Sequence, residues 1–478
     1  MVMEADLTAA HPTELSPLVE KRDGGVGTGN GERNEEKGAS LASSIVNLAN
    51  TIIGAGLLTL PFAMKISGGV IPFALLFVCV SVGSAYGFRL LCRCCELTGK
   101  YTYRELGDAA LPGRGWLIEA AKGAYTTGTC IAYMVLIADF STLLADDVFP
   151  HDHGSRFIRT LNTIFSSRST ATIVLAVLCC FPLSLLRSLN ALRFTSLLSI
   201  ACISYTVLAV LGTFAFKYHF KVNDTVKLIS VSPEFLGALP LMSVSMTGHH
   251  NAPTFYRELR NRSEARFGTV VNCALMICLT AYTIMATSGY LCFGSSVQGD
   301  VLNSLVVGSG VAIVARFALL ITIITSYPLV FNSMRLAARE LLGSATGFGS
   351  GTEMTSLGAL AYSTVFVSLH VVVALLVPQV EVVLGYNGSV FGTSIVYIMP
   401  ALMCIKLTSK RSGSSARTDT RSENDTEKAL LEDQMETTTH ISPLPWGYPV
   451  ALIVFGAVMM IGGCVSTALN AAGGPTNG

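Results

Sequence analysis

Apolar runs long enough for the roughly twenty residues of a membrane-crossing helix recur along the whole chain, and that recurrence leaves few folds open. Inside a bilayer every backbone N–H and C=O must find its partner within the protein, which admits only helices and closed barrels, and runs this long read as helices. The spans fall at about 42–64, 70–92, 116–141, 171–187, 194–216, 233–254, 268–292, 305–331, 358–378, 384–405 and 448–470, about eleven crossings by hydropathy. The fourth is the weakest, with a short apolar core and Pro182 near its end. Composition excludes the soluble alternative: 51% of the 478 residues are hydrophobic, 13% are charged, and the mean hydropathy is +0.55.

The basic residues orient the spans. Arg89, Arg93, Lys100, Arg104 and Arg114 lie at and after the second run, Arg257, Arg260, Arg262 and Arg266 after the sixth, and Lys406, Lys410, Arg411, Arg417, Arg421 and Lys428 after the tenth. The alternate loops hold fewer, so the N terminus is expected in the cytosol and the C terminus on the far side. Residues 1–40 read as a disordered cytosolic tail, 41–405 as a ten-helix core, 406–447 as a disordered cytosolic loop, and 448–478 as an eleventh helix with a far-side end. The net charge of +1 averages over faces that meet different solvents, and no basic footprint for nucleic acid stands out. Thirteen cysteines fall mostly inside the spans, which argues against a structural disulfide. Cys92, Cys94 and Cys95 cluster where acylation or plain packing are the two readings. Asn223-Asp-Thr225 is a glycosylation sequon in an expected far-side loop.

Two spans are interrupted. The first, Ser44 to Pro61, carries Asn47, Asn50 and Thr51 before Gly54-Ala55-Gly56, poor helix formers at mid-depth. The sixth runs from Leu239 through Ser243, Ser245, Thr247, Gly248, His249, His250 and Asn251 to Pro253. Breaks at the first and sixth of ten helices are what an inverted repeat of five predicts, with released backbone groups meeting at the midplane to hold a solute or ion. Tight helix packing is the alternative reading of the glycines. His249 and His250 carry two readings, a proton-linked pair or caps on released carbonyls. Asp139 and Arg316 are lone charges at the edges of spans that need partners.

The stretch Asn50-x-x-x-Gly54-x-Gly56, His249-His250-Asn251-Ala252 with Tyr256, and Ser326-Tyr327-Pro328-Leu329 with Arg316 upstream together resemble the amino acid/auxin permease family, in particular its vacuolar and sodium-coupled neutral amino acid transporters. The resemblance implies an all-α membrane protein with a LeuT-type fold: ten helices in two inverted repeats with helices 1 and 6 broken, plus one extra helix, moving an amino acid with a cation by alternating access. It implies that the substrate meets Thr51, Gly54, Ala55, Gly56 and Leu57, that Ser243, Ser245 and Thr247 read its side chain, with Thr126 and Thr127 as weaker candidates, and that Asn50, the Ile53 carbonyl, Thr325 and Ser326 hold a monovalent cation. The coupling ion stays open between Na+ and H+, and no other cofactor is expected. The short, cysteine-free loop 217–232 departs from the cell-surface members and favours a vacuolar or lysosomal membrane. No nucleophile, base and orienting group stand together, so an enzyme is not expected, and His151-Asp152-His153 reads as a polar loop. An amino-acid-sensing transceptor signalling through its cytosolic segments is the alternative from a different class.

Overall fold

The computed structural model describes residues 38–148, 156–186, 193–232, 234–306, 308–346, 355–418 and 447–472. Fifteen helices carry the argument. They are α1 (Leu41–Ile52), α2 (Gly56–Ile66), α3 (Val70–Thr98), α4 (Tyr103–Ala110), α5 (Gly115–Val148), α6 (Arg156–Ser166), α7 (Arg168–Ser184) and α8 (Arg193–Gly212), followed by α9 (Phe235–Ser245), α10 (Ala252–Glu258), α11 (Glu264–Phe293), α12 (Gly310–Thr346), α13 (Ser356–Leu376), α14 (Val380–Lys410) and α15 (Gly447–Ala472). Among the described residues eight helices are long and apolar enough to cross a membrane, and two bent pairs bring the number to ten. The pair α1 and α2 bends by 60°, and the pair α6 and α7 by 97°. The sixth interrupted segment appears as α9 and α10, separated by residues 246–251, too wide a gap to count as one bent helix.

The outer faces of α3 and α15 show why the chain needs lipid. Leu75, Val78 and Val82 on α3, and Val454, Val458, Ile461, Val465 and Leu469 on α15, are large, apolar and exposed at helical spacing. Polar residues go inward instead: Ser84, Ser243, Ser245, His249, Arg316, His370 and Asn387 are all buried. The interior is organised around the two breaks. The α1–α2 pair packs on α11, α2 also meets α9, and α12 runs along α5 on the other side of the space between them. Each lone charge finds its expected partner, Asp139 with Arg168 and Arg316 with Asp147.

Three boundaries differ from the hydropathy reading. The eighth span was expected over 305–331, but α12 begins at Gly310, because Arg316 holds the carbonyls of Leu302 and Leu305 outside the helix. The third span extends to Val148, and the helix of α14 continues past Lys410 to Thr418, so residues 406–418 are helical, with Lys410 Nζ donating to Ala109 O at 2.7 Å. At the start of the chain, Ala39 makes a two-bond backbone bridge to the segment after α10: its N–H donates to Glu258 O at 2.8 Å and its carbonyl accepts from Arg260 N at 3.1 Å. Cys92, Cys94 and Cys95 are buried, which supports packing over acylation. His151-Asp152-His153 lies outside the described residues.

Candidate functional site

The two breaks form because their residues give helices little reason to continue. α1 ends at Ile52, Ile53 takes an extended ψ of 107°, and α2 restarts at Gly56. Leu57 N donates to Gly54 O and Leu58 N to Ala55 O, each at 3.1 Å, so among the described residues the N–H groups left without a backbone partner at the break are those just ahead of Leu57. A Cβ built on Gly54 meets nothing within 4 Å, whereas one on Gly56 would lie 2.5 Å from Ser245 Oγ. The two glycines therefore serve different ends: Gly54 keeps space open, and Gly56 lets α2 approach α9. The packing reading of the Gly-x-Gly stretch describes Gly56, while Gly54 borders open space.

The released carbonyls of both breaks converge on one side chain. Tyr282 of α11 is fully buried, and its hydroxyl lies 2.7 Å from Ser245 O and 2.9 Å from Ile52 O, a single proton shared between the ends of α9 and α1. Tyr282→Phe leaves two buried carbonyls without this donor, a cost of about 1–3 kcal/mol for an unsatisfied buried group. The expected result is a measurable fall in thermal stability in detergent, and an unchanged melting profile would show that another donor takes over.

Between the breaks, α5, α8 and α12 enclose a cavity of about 350 Å³. It is lined by Asn50, Thr51, Ile53, Gly54, Ala55, Gly56 and Leu57 from the first break, Thr247, His250 and Asn251 from the second, and Thr322, Ser326 and Ser333 from α12. Tyr125, Thr129 and Tyr133 complete the wall from α5, with Thr126 beside them. No Asp, Glu, Lys or Arg lines it among the described residues. Leu329, Val330 and Ser333 carry the cavity along α12 toward the face on which α1 begins.

Hydroxyl chemistry sets the polarity of the wall. Thr51 donates to Asn47 O at 2.8 Å, Thr247 to Ser243 O at 2.8 Å, and Thr322 to Ala318 O at 2.9 Å. Their protons are committed to their own helices, so what remains for a guest is oxygen lone pairs. Such a wall suits an ammonium or a monovalent cation, while the N–H groups just ahead of Leu57 and the positive end of the α2 dipole suit a carboxylate.

Not every residue singled out from the sequence reaches this space. Ser245 donates to Leu241 O at 2.9 Å and packs on Gly56, and Ser243 lies beside Tyr397; neither lines the cavity. Thr325 donates to Ile321 O at 2.9 Å and lies behind the wall, whereas Ser326, Asn50 and Ile53 line the cavity, as does Thr322. The two histidines part company. His249 stacks on Phe88 with ring centroids 3.8 Å apart and its Nε2 is 3.0 Å from Ser84 O, whereas His250 lines the cavity near Tyr125. Asn223 stands apart, its carboxamide oxygen accepting from Thr225 N at 3.0 Å in a loop beyond α8. The α5 face of Tyr125, Thr129 and Tyr133 was missed, although its spacing of four residues marks one side of a helix.

An all-helical membrane protein whose two broken helices flank a polar, uncharged cavity defines a solute-binding membrane protein. Known proteins agree. A profile described as Transmembrane amino acid transporter protein matches residues 37–421, and the chain belongs to that family. It is 29% identical over 376 residues to Vacuolar amino acid transporter 5 of Schizosaccharomyces pombe, covering 76% of this chain and 83% of that protein, and 26% identical over 377 residues to Sodium-coupled neutral amino acid transporter 7 of Danio rerio, covering 77% and 79%. Among solved structures it superposes on MhsT in complex with L-phenylalanine with a TM-score of 0.51 at 14% identity, covering 89% of this chain and 98% of that one, a likeness of fold. The protein is thus an amino acid transporter with a LeuT-type fold, not an enzyme.

Proposed function

We propose that this transporter moves neutral amino acids by alternating access, in symport with a proton or sodium ion, across a vacuolar or lysosomal membrane with the start of α1 in the cytosol. The observation that carries the reading is the cavity wall: it offers the N–H groups just ahead of Leu57 for a carboxylate and neutral oxygens for an ammonium, and among the described residues it holds no fixed charge to pair with a charged side chain. An isolated charge brought there would lose its hydration without a counter-ion, which disfavours acidic and basic substrates. Relatives named as vacuolar and as sodium-coupled neutral amino acid transporters support the same class. The cavity extends toward the face where α1 begins, which fits release on that side.

Uptake of radiolabelled amino acids into proteoliposomes, under an imposed pH gradient or an imposed sodium gradient, tests the reading. Ser326→Ala removes one neutral oxygen from the proposed cation position. If sodium binds there, sodium-driven uptake is expected to fall about tenfold, on the scale of one hydrogen-bonding partner to a charged group, while any uptake under the pH gradient is spared. Uptake under neither gradient, with ligand-induced thermal stabilisation intact, would overturn transport in favour of a sensor.

A further inference from the structure

On the face opposite the start of α1, residues 294–306 form a strap between α11 and α12, and its apolar side is seated deeply: Val297, Val301, Leu302 and Leu305 are all buried. Basic side chains hold its carbonyls. Arg316 of α12 donates to Leu302 O at 3.0 Å and Leu305 O at 2.8 Å, and Lys65 of α2 donates to Val297 O at 3.4 Å. In the middle of the strap sits Asp300, only 1% exposed. Its Oδ1 accepts from Leu302 N at 2.9 Å, and its Oδ2 meets no partner at all among the described residues.

The surroundings explain why no cation reaches that oxygen. From α5, Asp147 is paired with Arg316 at 2.6 Å, and Asp139 is paired with Arg168 of α7 and within reach of Asn303. From α14, Glu381 packs against Gly299, where any Cβ would strike its carboxylate. Lys65 is turned to Val297 O, with Glu234, ahead of α9, and Glu381 as its acidic neighbours. The strap therefore seats a buried carboxyl among two other acids, Asp139 and Glu381, with the nearby arginines already engaged. A carboxylate so placed is costly, and a carboxylic acid is not.

We propose that Asp300 is a proton-binding site, protonated while the strap is seated and ionised when it lifts, so that acid on this face holds the face shut. The proton binds and leaves on the same side, and the site works whichever ion drives transport. Burial pushes the Asp300 carboxyl up to about 8; the Leu302 amide opposes this, Asp139 adds to it, Arg316 opposes it and Glu381 adds to it. Because the seated value is raised above the ordinary carboxylate value of about 4, proton binding favours the seated strap fully below about pH 4. That preference is lost progressively as the pH rises, and is gone above about 8.

Hydrogen–deuterium exchange of the full chain in nanodiscs, from about pH 5 to about pH 9 and corrected for intrinsic exchange, reads the strap directly through peptides covering 297–306. Wild-type protection is expected to fall with rising pH, by up to about tenfold per unit, while peptides in α4 do not follow. Asp300→Asn keeps the shape of the protonated side chain and should hold the strap protected across the range. A flat wild-type profile overturns the proposal, and so does an Asp300→Asn profile that still falls. Asp139→Asn and Glu381→Gln should retain the fall; its loss in either of them, while Asp300→Asn still falls, would give the proton to that other acid. If Asp300→Asn does not fold, the wild-type profile with these two variants still decides.

Discussion

Gly54→Val is expected to leave a folded, membrane-inserted protein that no longer takes up amino acid. A Cβ at this position meets no atom within 4 Å, and the backbone there is outside the left-handed region that would demand glycine, so the first added carbon strikes no neighbour. What it fills is the cavity itself, beside the N–H groups just ahead of Leu57 proposed to receive the substrate carboxylate. Displacing a ligand by an ångström in a preorganised site costs about a hundredfold, and a whole isopropyl group displaces it further. Uptake should fall at least that far, with thermal stability near wild type. Gly56→Val is the informative contrast, because its Cβ runs into Ser245 Oγ and must push α2 away from α9. Near-normal uptake by Gly54→Val would place the substrate elsewhere.

The largest effect on stability is expected from Arg316→Met. Both side chains of the Arg316–Asp147 pair are 0% exposed, 2.6 Å apart, and Arg316 also donates to two strap carbonyls. Removing the arginine leaves a buried carboxylate without its counter-charge, which costs about 3–5 kcal/mol when one partner of such a pair is lost. The strap carbonyls lose their donors as well. Replacing both partners, Arg316→Met with Asp147→Leu, removes the orphaned charge and should recover much of the loss. Thermal unfolding of the two single variants and the double variant in one detergent separates these terms. Equal loss in the single and double variants would mean that the carbonyl contacts, not the ion pair, dominate.

The order of the spans was legible in the sequence because hydropathy is a local property, and the first break was legible because Gly54 and Gly56 are poor helix formers wherever they stand. Which hydroxyls face the cavity was not. In α9 every residue from Gly237 to Ser245 is buried, so no stripe of polarity distinguishes a cavity face from a packing face, and Ser243 and Ser245 carry no mark of where they point. On α5, by contrast, Tyr125, Thr129 and Tyr133 repeat every fourth residue, and that signal was present in the chain. The role of Tyr282 depends on two carbonyls from helices far from it in sequence, and only the folded arrangement brings these together.

The backbone bridge at Ala39 has a mechanical consequence. By joining the start of α1 to the segment that leaves α10, it turns two half-helices, one from each repeat, into a single lever on that face of the membrane. Neither can swing outward while the two bonds hold without carrying the other. Separating these two segments requires both bonds to break, and a load placed on the chain just ahead of residue 38 is passed through them to both halves.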